Sequence, residues 1–313
     1  MVERAVEAAL LECPRAVLAV SGGMDSMVLL SAAARVHGKT RTKLRVATFD
    51  HGTGKAAGRA AAMVARDCAR LGIPCVSGRA EIAGTREEEW RRARWTFLES
   101  VASAHSATVV TAHTLDDQIE TVFIRILREA GPRGLAGLYA ESEIVRPLLA
   151  LRRAAIADYA AANRVKFRDD PTNADRRHLR NRVRLDLLPS ITRRNPSFAE
   201  ELLSLARASA EWRHSLEEIA ATVDPTPAVN GALRIGRASL SGFDADSLRV
   251  LWPALAARAR VVMDRRGTHR AAEFTMKGAT GGTIQLSGGV EIVMQRDHML
   301  LRRWRLPIGA PTS

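Results

Sequence analysis

The stretch Ser21-Gly22-Gly23-Met24-Asp25-Ser26 combines two glycines, two hydroxyls and a carboxylate. Consecutive glycines let the backbone turn sharply and bring its N–H groups close to a ligand. With the serine hydroxyls and the start of a helix, those N–H groups form a cradle for an anion. The spacing is not G-x-x-x-x-G-K-[ST], so this is not a Walker A loop. We predict that Ser21–Ser26, called the glycine loop below, binds the phosphates of a ligand.

Other polar side chains fall where later apolar runs end. Asp50 follows the run 44–49, and His113 follows the run 107–111. Asp117 and Glu120 are three residues apart, which places both carboxylates on one face of a helix. Such a pair could hold a cationic ligand, or it could simply face solvent. His113 could hydrogen-bond a base or a phosphate, or it could be structural.

The elements that must position these residues alternate between strand and helix. Apolar runs at 16–20, 44–49, 74–77 and 107–111 are predicted strands, and helical periodicity follows at 60–71, 86–104 and 118–129. This alternation favours an α/β fold with a parallel sheet flanked by helices. Ligands of such sheets bind beyond the carboxyl ends of the strands. We therefore expect Ser21, Asp50 and His113 to share one composite site.

The chain divides into three predicted regions. Residues 1–150 form the α/β domain, in which 130–138 is a Gly-rich loop. Residues 151–222 form a basic helical segment with helices at 156–165, 179–188 and 196–221. After the linker signal Asp224-Pro225-Thr226-Pro227, residues 223–313 show one helical run and short alternating runs, which predict a small α+β domain.

The charge of the chain points to a polyanionic partner. The net charge is +13 and the isoelectric point is about 10.9. Residues 152–194 hold 12 Lys and Arg against 5 Asp, so they carry +7 of that excess. We interpret this as a nucleic-acid surface, with a solvated helical surface as the alternative.

Cysteines and hydropathy exclude several classes. Cys13, Cys68 and Cys75 include no C-x-x-C pair, which argues against a zinc or iron–sulfur site and against a disulfide framework. No apolar stretch has membrane-spanning length, and residues 1–13 lack the core of a signal peptide. We therefore expect a cytoplasmic protein that does not enter the membrane.

A set of motifs in order indicates a family. The S-G-G-x-D-S pattern of the glycine loop resembles the PP-loop of ATP pyrophosphatases, which cleave ATP to AMP and pyrophosphate. Across residues 13–200 the chain resembles the tRNA(Ile)-lysidine synthetases. The further motifs that carry this resemblance are Asp50-His51, Glu89–Trp95, Thr111–Thr121, Arg146–Leu149, Asp170–Asn173 and Arg180–Arg184.

The resemblance implies a two-step reaction on RNA. ATP adenylates the C2 oxygen of the wobble cytidine of an isoleucine tRNA with a CAU anticodon, and the ε-amine of L-lysine then displaces AMP to form lysidine. It implies that Asp117 and Glu120 hold the lysine. Mg²⁺ would bridge the phosphates, with Asp25 or Asp117 as ligands. A homodimer is left open.

The resemblance also implies roles for individual residues. We expect the glycine loop to hold ATP through Ser21, Gly22, Gly23, Met24, Asp25 and Ser26. The predicted catalytic residues are Asp25, Asp50, His113, Asp117 and Arg128. The predicted tRNA-binding residues are Arg180, Arg182 and Arg184.

The chain departs from the family pattern at three places. Thr114 stands where a second histidine is common, Gly52–Lys55 replaces the usual Leu-Arg, and Glu129 follows Arg128 where Gly is usual. The sequence leaves two alternatives. A tRNA cytidine thiolase of the same superfamily usually carries C-x-x-C pairs, which are absent here. A non-catalytic basic RNA-binding protein would not need an intact glycine loop and acid pair.

Overall fold

The computed structural model describes residues 1–52, 54–80, 87–168 and 175–304. The motif Asp170–Asn173 and Thr53, which belongs to one of the departures from the family pattern, lie outside the described residues. The chain forms two compact units, Met1–Ala210 and Glu211–Ser313, and the division falls within a long helix.

The first unit begins with four alternations of helix and strand. In chain order its elements are α1 (Val2–Leu11), β1 (Arg15–Ala19), α2 (Met24–Thr40), β2 (Lys43–Asp50), α3 (Lys55–Leu71), β3 (Cys75–Arg79), α4 (Glu87–His105), β4 (Thr108–Val110), α5 (Leu115–Leu127), α6 (Pro132–Leu135), α7 (Arg153–Ala162), α8 (Leu179–Arg182), α9 (Leu188–Arg194) and α10 (Phe198–Thr222).

The four strands form one parallel sheet in the order β3-β2-β1-β4. Side chains of a strand alternate between the two faces of its sheet. Leu18 packs with α1, α2 and α7 on one face, whereas Val17 packs with Leu98 and Val101 of α4 on the other. The predicted α/β class, with helices on both faces of a parallel sheet, is confirmed.

Residues 151–210 of the basic segment belong to the first unit. Ile156 and Ala160 of α7 are buried in the core that also contains α1 and α2, because they supply an apolar face four residues apart. The predicted division into regions 1–150, 151–222 and 223–313 stays a prediction. The role of residues 151–222 in tRNA binding stays a prediction.

Two local predictions in the first unit differ from the structure, and in the second unit the predicted linker contains a short strand at Thr226–Ala228 and a further helix lies at Arg265–Lys277. The Gly-rich segment 130–138 contains helix α6 and a 3₁₀ turn at Gly137–Tyr139. The single helix predicted at 179–188 is α8, then one π-helical turn at Val183–Leu187, then α9. Single π turns inserted in helices occur frequently at functional sites.

The second unit is an antiparallel sheet covered by helices, as the predicted α+β class requires. After α10 come β5 (Thr226–Ala228), β6 (Ala232–Gly236), α11 (Arg237–Leu240), α12 (Ala245–Arg258), α13 (Arg265–Lys277), β7 (Thr283–Leu286), β8 (Val290–Met294) and β9 (His298–Arg303). The strand order is β5-β6-β9-β8-β7. Trp252 is fully buried and donates a hydrogen bond to Thr275.

None of the helices in the described parts of the chain combines the length and the apolar character needed to cross a membrane.

Candidate active site

The glycine loop connects β1 to α2 and is held by its own serines. The Ser21 N–H donates to Ser26 Oγ at 3.2 Å, and Ser26 Oγ donates to the Gly23 carbonyl at 2.9 Å. Gly23 is the N-cap of α2, so the loop sits at the positive end of that helix. The arrangement suits a bound anion, and phosphate binding by residues 21–26 stays a prediction.

Gly22 has a clear structural requirement for glycine. Its φ is +91°, a region that L-residues rarely adopt, and a Cβ there would lie 3.0 Å from Cβ of Ala60 in α3. The Gly22 carbonyl also accepts a hydrogen bond of 2.9 Å from the Arg168 N–H. The loop is thus fixed between α3 and the segment that follows α7.

Thr114 fixes the start of α5 and one of its acids. The carboxylate Oδ2 of Asp117 accepts from the Thr114 N–H at 2.8 Å and from Thr114 Oγ1 at 2.9 Å. The Thr114 hydroxyl is in turn the acceptor of the Asp117 N–H, which completes a capping box. The threonine that replaces the usual histidine is therefore an N-cap that orients Asp117.

Glu120 is buried under two arginines. Its side chain is 3% exposed, and Arg184 binds it in a bidentate manner with Nε at 2.6 Å and Nη2 at 2.9 Å. Arg180 Nε lies 3.0 Å from the same carboxylate. Arg180 and Arg184 are four residues apart around the π-helical turn, which presents both guanidinium groups to α5.

Arg153 joins the glycine loop to α5. Its Nη2 lies 3.2 Å from Oδ2 of Asp25 and 3.5 Å from Oδ1 of Asp117. Arg184 approaches the same Asp117 oxygen at 3.5 Å. Three acids and three arginines therefore form one connected group, called the ionic cluster below, which contains Asp25, Asp117, Glu120, Arg153, Arg180 and Arg184.

The two aspartates of the ionic cluster have opposite pKa shifts. Burial raises the pKa of Asp25, and the nearby Arg153 offsets this only in part. Burial also acts to raise the pKa of Asp117, but the backbone hydrogen bond from Thr114 and the charge of Arg153 outweigh it, so this pKa lies below its usual range. The charge of the Asp25 carboxylate is therefore less well compensated by its surroundings than that of Asp117.

His113 lies at the end of β4 beside the cluster. Burial is the largest cause that lowers its pKa to about 4, with Arg146 and Arg180 adding to the effect and Asp117 opposing it. Its Nδ1 is 2.8 Å from the Thr111 hydroxyl. The imidazole is neutral near pH 7, so it can act there as a hydrogen-bonding group and not as a cation.

The remaining predicted residues lie apart from the cluster contacts. Asp50 accepts from the Gly52 N–H at 2.9 Å and is 3.6 Å from Arg79, at the end of β2. Arg128 is the exposed C-cap of α5, about 16 Å along the helix axis from Asp117. Arg182 is exposed on α8. Their predicted catalytic and tRNA-binding roles stay predictions.

Three arginines near the acids or His113 are not predicted as site residues from the sequence. Arg153 had no assigned role, Arg94 and Arg146 appeared only within motifs, and burial lowers the pKa of both Arg94 and Arg146. The Nε atoms of Arg94 and Arg146 are buried without a hydrogen-bond partner among the described residues. Their place within Glu89–Trp95 and Arg146–Leu149 was the signal that could have identified them.

A cavity of about 430 Å³ opens beside the first turn of α5. Arg146, Arg207 and Tyr139 line it together with the apolar residues Leu115 and Pro147. Arginines beside a tyrosine and apolar residues suit a phosphate attached to a flat base.

The residues present fit a magnesium ion that is shared with a nucleotide. Mg²⁺ usually takes one or two protein carboxylates and completes its shell with phosphate oxygens and water. Oδ1 of Asp25 is buried and has no hydrogen-bond partner in the described part of the chain, which leaves a carboxylate oxygen for a cation. The described residues contain no group of three or more His, Cys, Asp or Glu that could hold a metal ion without such a ligand.

Several known proteins with similar sequences are tRNA(Ile)-lysidine synthases. The family model of the PP-loop domain matches residues 2–191. A tRNA(Ile)-lysidine synthase of Solibacter usitatus is 39% identical over 217 residues, covering 66% of this chain and 49% of the relative. That of Methylobacterium sp. is 38% identical and covers 77% and 73%, and that of Salinispora tropica is 34% identical and covers 75% of each chain.

The lengths of these relatives differ. The chain spans about half the length of the Solibacter protein and 44% of that of two Burkholderia proteins with the same name. It spans about three quarters of the Methylobacterium and Salinispora proteins.

Among solved structures, a U34-tRNA thiolase from Methanococcus maripaludis has a similar fold. The TM-score is 0.56 at 16% identity, with 67% of this chain and 78% of the thiolase covered. This likeness concerns the fold alone. With the match to the PP-loop domain over residues 2–191 and relatives covered to about three quarters of their length, the chain belongs to the tRNA(Ile)-lysidine synthase family of PP-loop proteins.

Proposed function

We propose that the protein ligates L-lysine to C2 of the wobble cytidine in isoleucine tRNA with a CAU anticodon. In the first step the C2 oxygen of the base attacks the α-phosphorus of ATP, and pyrophosphate leaves. In the second step the ε-amine of lysine attacks C2, the C2–O bond breaks and AMP leaves with that oxygen. The amine loses a proton in this step, so a base must accept it.

One observation carries the proposal: Arg153 contacts both Asp25 at the start of α2 and Asp117 of α5. This contact supports the proposal that the phosphate cradle and the acidic pair form one site. A reaction through an activated base needs this closeness, because the adenylated cytidine must meet the amine without leaving the protein.

The glycine loop is proposed to hold the triphosphate. Its N–H groups and the hydroxyls of Ser21 and Ser26 would contact phosphate oxygens, and Asp25 and Asp117 would offer oxygens to Mg²⁺. The ion, when bound, neutralises charge on the phosphates and on the departing pyrophosphate. Arg94, whose buried guanidinium lies near His113 and Arg180, is available to a further anionic group.

Asp117 and Glu120 are proposed to bind the lysine ammonium. Free lysine is almost fully protonated at neutral pH, and carboxylates favour that form. The acids therefore capture the substrate, and one of them or a phosphate oxygen accepts the proton at attack. Arg180 and Arg184 are both ion-paired with the Glu120 carboxylate. At least one of the two guanidinium groups must therefore move away from Glu120 when the lysine ammonium binds.

The RNA is proposed to use exposed cations near the cluster. Arg182 faces solvent on α8, and the cavity beside α5 offers Arg146 and Arg207 together with Tyr139. Phosphate contacts of this type position RNA, whereas a splayed base is recognised by stacking and by its edges. Arg128, Asp50 and His113 remain proposed participants whose contacts with substrate follow from the family resemblance.

Nucleoside analysis tests this proposal directly. CAU-anticodon isoleucine tRNA is incubated with the full chain, ATP, Mg²⁺ and isotope-labelled lysine, then digested and examined by mass spectrometry. The proposal expects a labelled lysidine nucleoside that requires ATP. A parallel incubation replaces lysine with sulfide; a thiolated cytidine formed there, and no lysidine with lysine, would support the thiolase alternative. Unchanged cytidine in both incubations with tight RNA binding would support a binding protein without this activity.

A further inference from the structure

Arg153 occupies the position between two carboxylates that a metal ion would need. A single nitrogen, Nη2, lies 3.2 Å from Asp25 and 3.5 Å from Asp117. These are the two side chains to which the proposed function assigns Mg²⁺. A guanidinium carries one positive charge, and it is more weakly hydrated than an ammonium, so it suits such partly buried ion pairs.

The backbone holds Arg153 in this place. Arg153 is the first residue of α7, and its N–H donates to Oδ2 of Asp116 at 2.6 Å. That contact caps α7 from α5, and the Arg153 side chain is 28% exposed. The guanidinium therefore reaches the acids from a fixed starting point.

One guanidinium does not satisfy the demand of this site for positive charge. Asp25 Oδ1 stays buried and without a hydrogen-bond partner among the described residues. Asp117 is shared with Arg184 at 3.5 Å, whereas Arg153 is the cation that touches Asp25. A second cation at Asp25 would meet an unpaired oxygen, but it would lie next to the Arg153 charge.

We propose that Arg153 is the resident cation of the divalent-metal position. It holds Asp25 and Asp117 together through Oδ2 of Asp25 and Oδ1 of Asp117, and it competes with a divalent cation for these two carboxylates. Repulsion between the Arg153 guanidinium and a divalent cation at the same two carboxylates makes simultaneous binding of both costly. The inference rests on the proposed function for the identity of the metal site.

Manganese binding to the nucleotide-free full chain tests the proposal. Free Mn²⁺ is measured by electron paramagnetic resonance during titration of the wild type and of Arg153→Gln. We expect the variant to bind Mn²⁺ at least about tenfold more tightly, since the competing charge is gone. Adding Asp25→Asn to that variant should abolish the gain.

Arg152 supplies a matched control. It is the neighbouring residue, and its side chain pairs with Asp116 at 3.5 Å and Glu200 at 3.9 Å. Arg152→Gln removes the same charge from the same turn, so we expect Mn²⁺ affinity to stay at the wild-type value. Equal tightening in both variants would show a general charge effect and would overturn the proposal, as would Arg153→Gln binding Mn²⁺ no more tightly than wild type.

A second measurement uses the wild type and does not depend on the folding of Arg153→Gln. In protein with ¹⁵N-labelled arginine, the Arg153 Nε–H signal is identified by its loss in Arg153→Lys. We expect this signal to shift on titration with Mg²⁺, and no shift would contradict the proposal. Neither measurement needs ATP or tRNA, so failure of lysidine formation and failure of this inference are separable.

Discussion

At the scale of single residues, charge balance explains the site. Arg153 and Arg184 both reach Asp117, and Arg180 and Arg184 both reach Glu120. Breaking one buried pair leaves an uncompensated charge, which costs far more than the pair itself contributes. The effect of a substitution in the ionic cluster should therefore be compared with the effect of a matched substitution at a nearby residue outside it.

Glu120→Gln should raise the lysine concentration needed for the second step about ten- to hundredfold, because a charge-assisted hydrogen bond to the ammonium is lost. Adenylation of the tRNA should change much less. Both steps are measured separately with radiolabelled ATP and lysine. Glu129→Gln, an exposed carboxylate just beyond α5, is the matched control and should behave as wild type. Equal loss of both steps in Glu120→Gln would remove Glu120 from the lysine site.

Gly22→Ala should lower the free energy of unfolding by about 1–3 kcal/mol, because the methyl group meets Ala60 and φ is +91°. The matched variant Gly23→Ala should cost no more than about 1 kcal/mol, since its φ of −74° suits alanine and its nearest neighbour is 3.7 Å away. Denaturant unfolding of both variants gives the comparison. Equal stability of the two would show that the loop is not held as described.

His113 should titrate near pH 4 and not near its ordinary value of 6.5. Because the folded-state pKa is depressed, the neutral ring contributes stability that is complete above about pH 6.5. That contribution is lost as the pH falls through about 4, since the unfolded chain takes up the proton first. NMR titration of the imidazole carbon-bound protons reports the midpoint directly. A midpoint near 6.5 would mean that the ring is solvated.

At the scale of elements, α5 organises its surroundings through its buried polar side chains. Gln118 is fully buried, with Nε2 donating to the Ala136 carbonyl at 2.9 Å and Oε1 accepting from the Leu138 N–H at 2.6 Å. Gly137 stands at φ +61° between them, where a Cβ would lie 2.5 Å from the amide oxygen. The segment 130–138 is thus attached to the helix that carries Asp117 and Glu120.

Gln118→Leu should release that attachment without unfolding α5, because the leucine keeps the apolar contacts and removes both hydrogen bonds. We expect amide hydrogen exchange at Leu138 and Tyr139 to accelerate at least about tenfold, as loss of roughly 1.4 kcal/mol of local stability would produce. The amides of β1 are the internal control and should keep their protection. Unchanged exchange at both positions would show that the hydrogen bonds do not hold the segment.

The sequence predicted the strands and the glycine loop because their signals are local. A short apolar run before two glycines needs no distant information. Arg153 was not predicted because its partner Asp25 lies 128 residues earlier in the chain. A contact over that separation produces no short-range residue spacing in the sequence. The burial of Glu120 under Arg180 and Arg184 was hidden for the same reason, since each side chain alone looks like a surface charge.

At the scale of the whole molecule, the net charge of +13 comes both from arginines that pair with buried acids and from arginines that are exposed to solvent. Arg153, Arg180 and Arg184 neutralise acids, so part of the basic excess in residues 152–194 is not free to meet RNA. Arg182 and Arg207 are exposed and suit that purpose better. A homodimer and a cytoplasmic location stay predictions from the resemblance and the sequence.

Arg182→Ala and Arg207→Ala should each weaken tRNA binding and reduce the slope of log K against log salt by about one, because one phosphate contact is lost in each. Binding is measured by titration at several salt concentrations. Arg70→Ala is the control, since Arg70 is an exposed arginine on α3 that pairs with Asp67. A slope that changes as much in Arg70→Ala would indicate a general charge effect and no defined RNA surface.

The central claim is that one site first adenylates the tRNA and then transfers lysine. It is tested most directly by incubating the full chain with [α-³²P]ATP and CAU-anticodon isoleucine tRNA without lysine, isolating the complex and then adding lysine. We predict that label becomes attached to the tRNA and that lysine releases it as AMP while an equal amount of lysidine forms. Label that never joins the RNA, or that stays on it when lysine is added, would contradict the account.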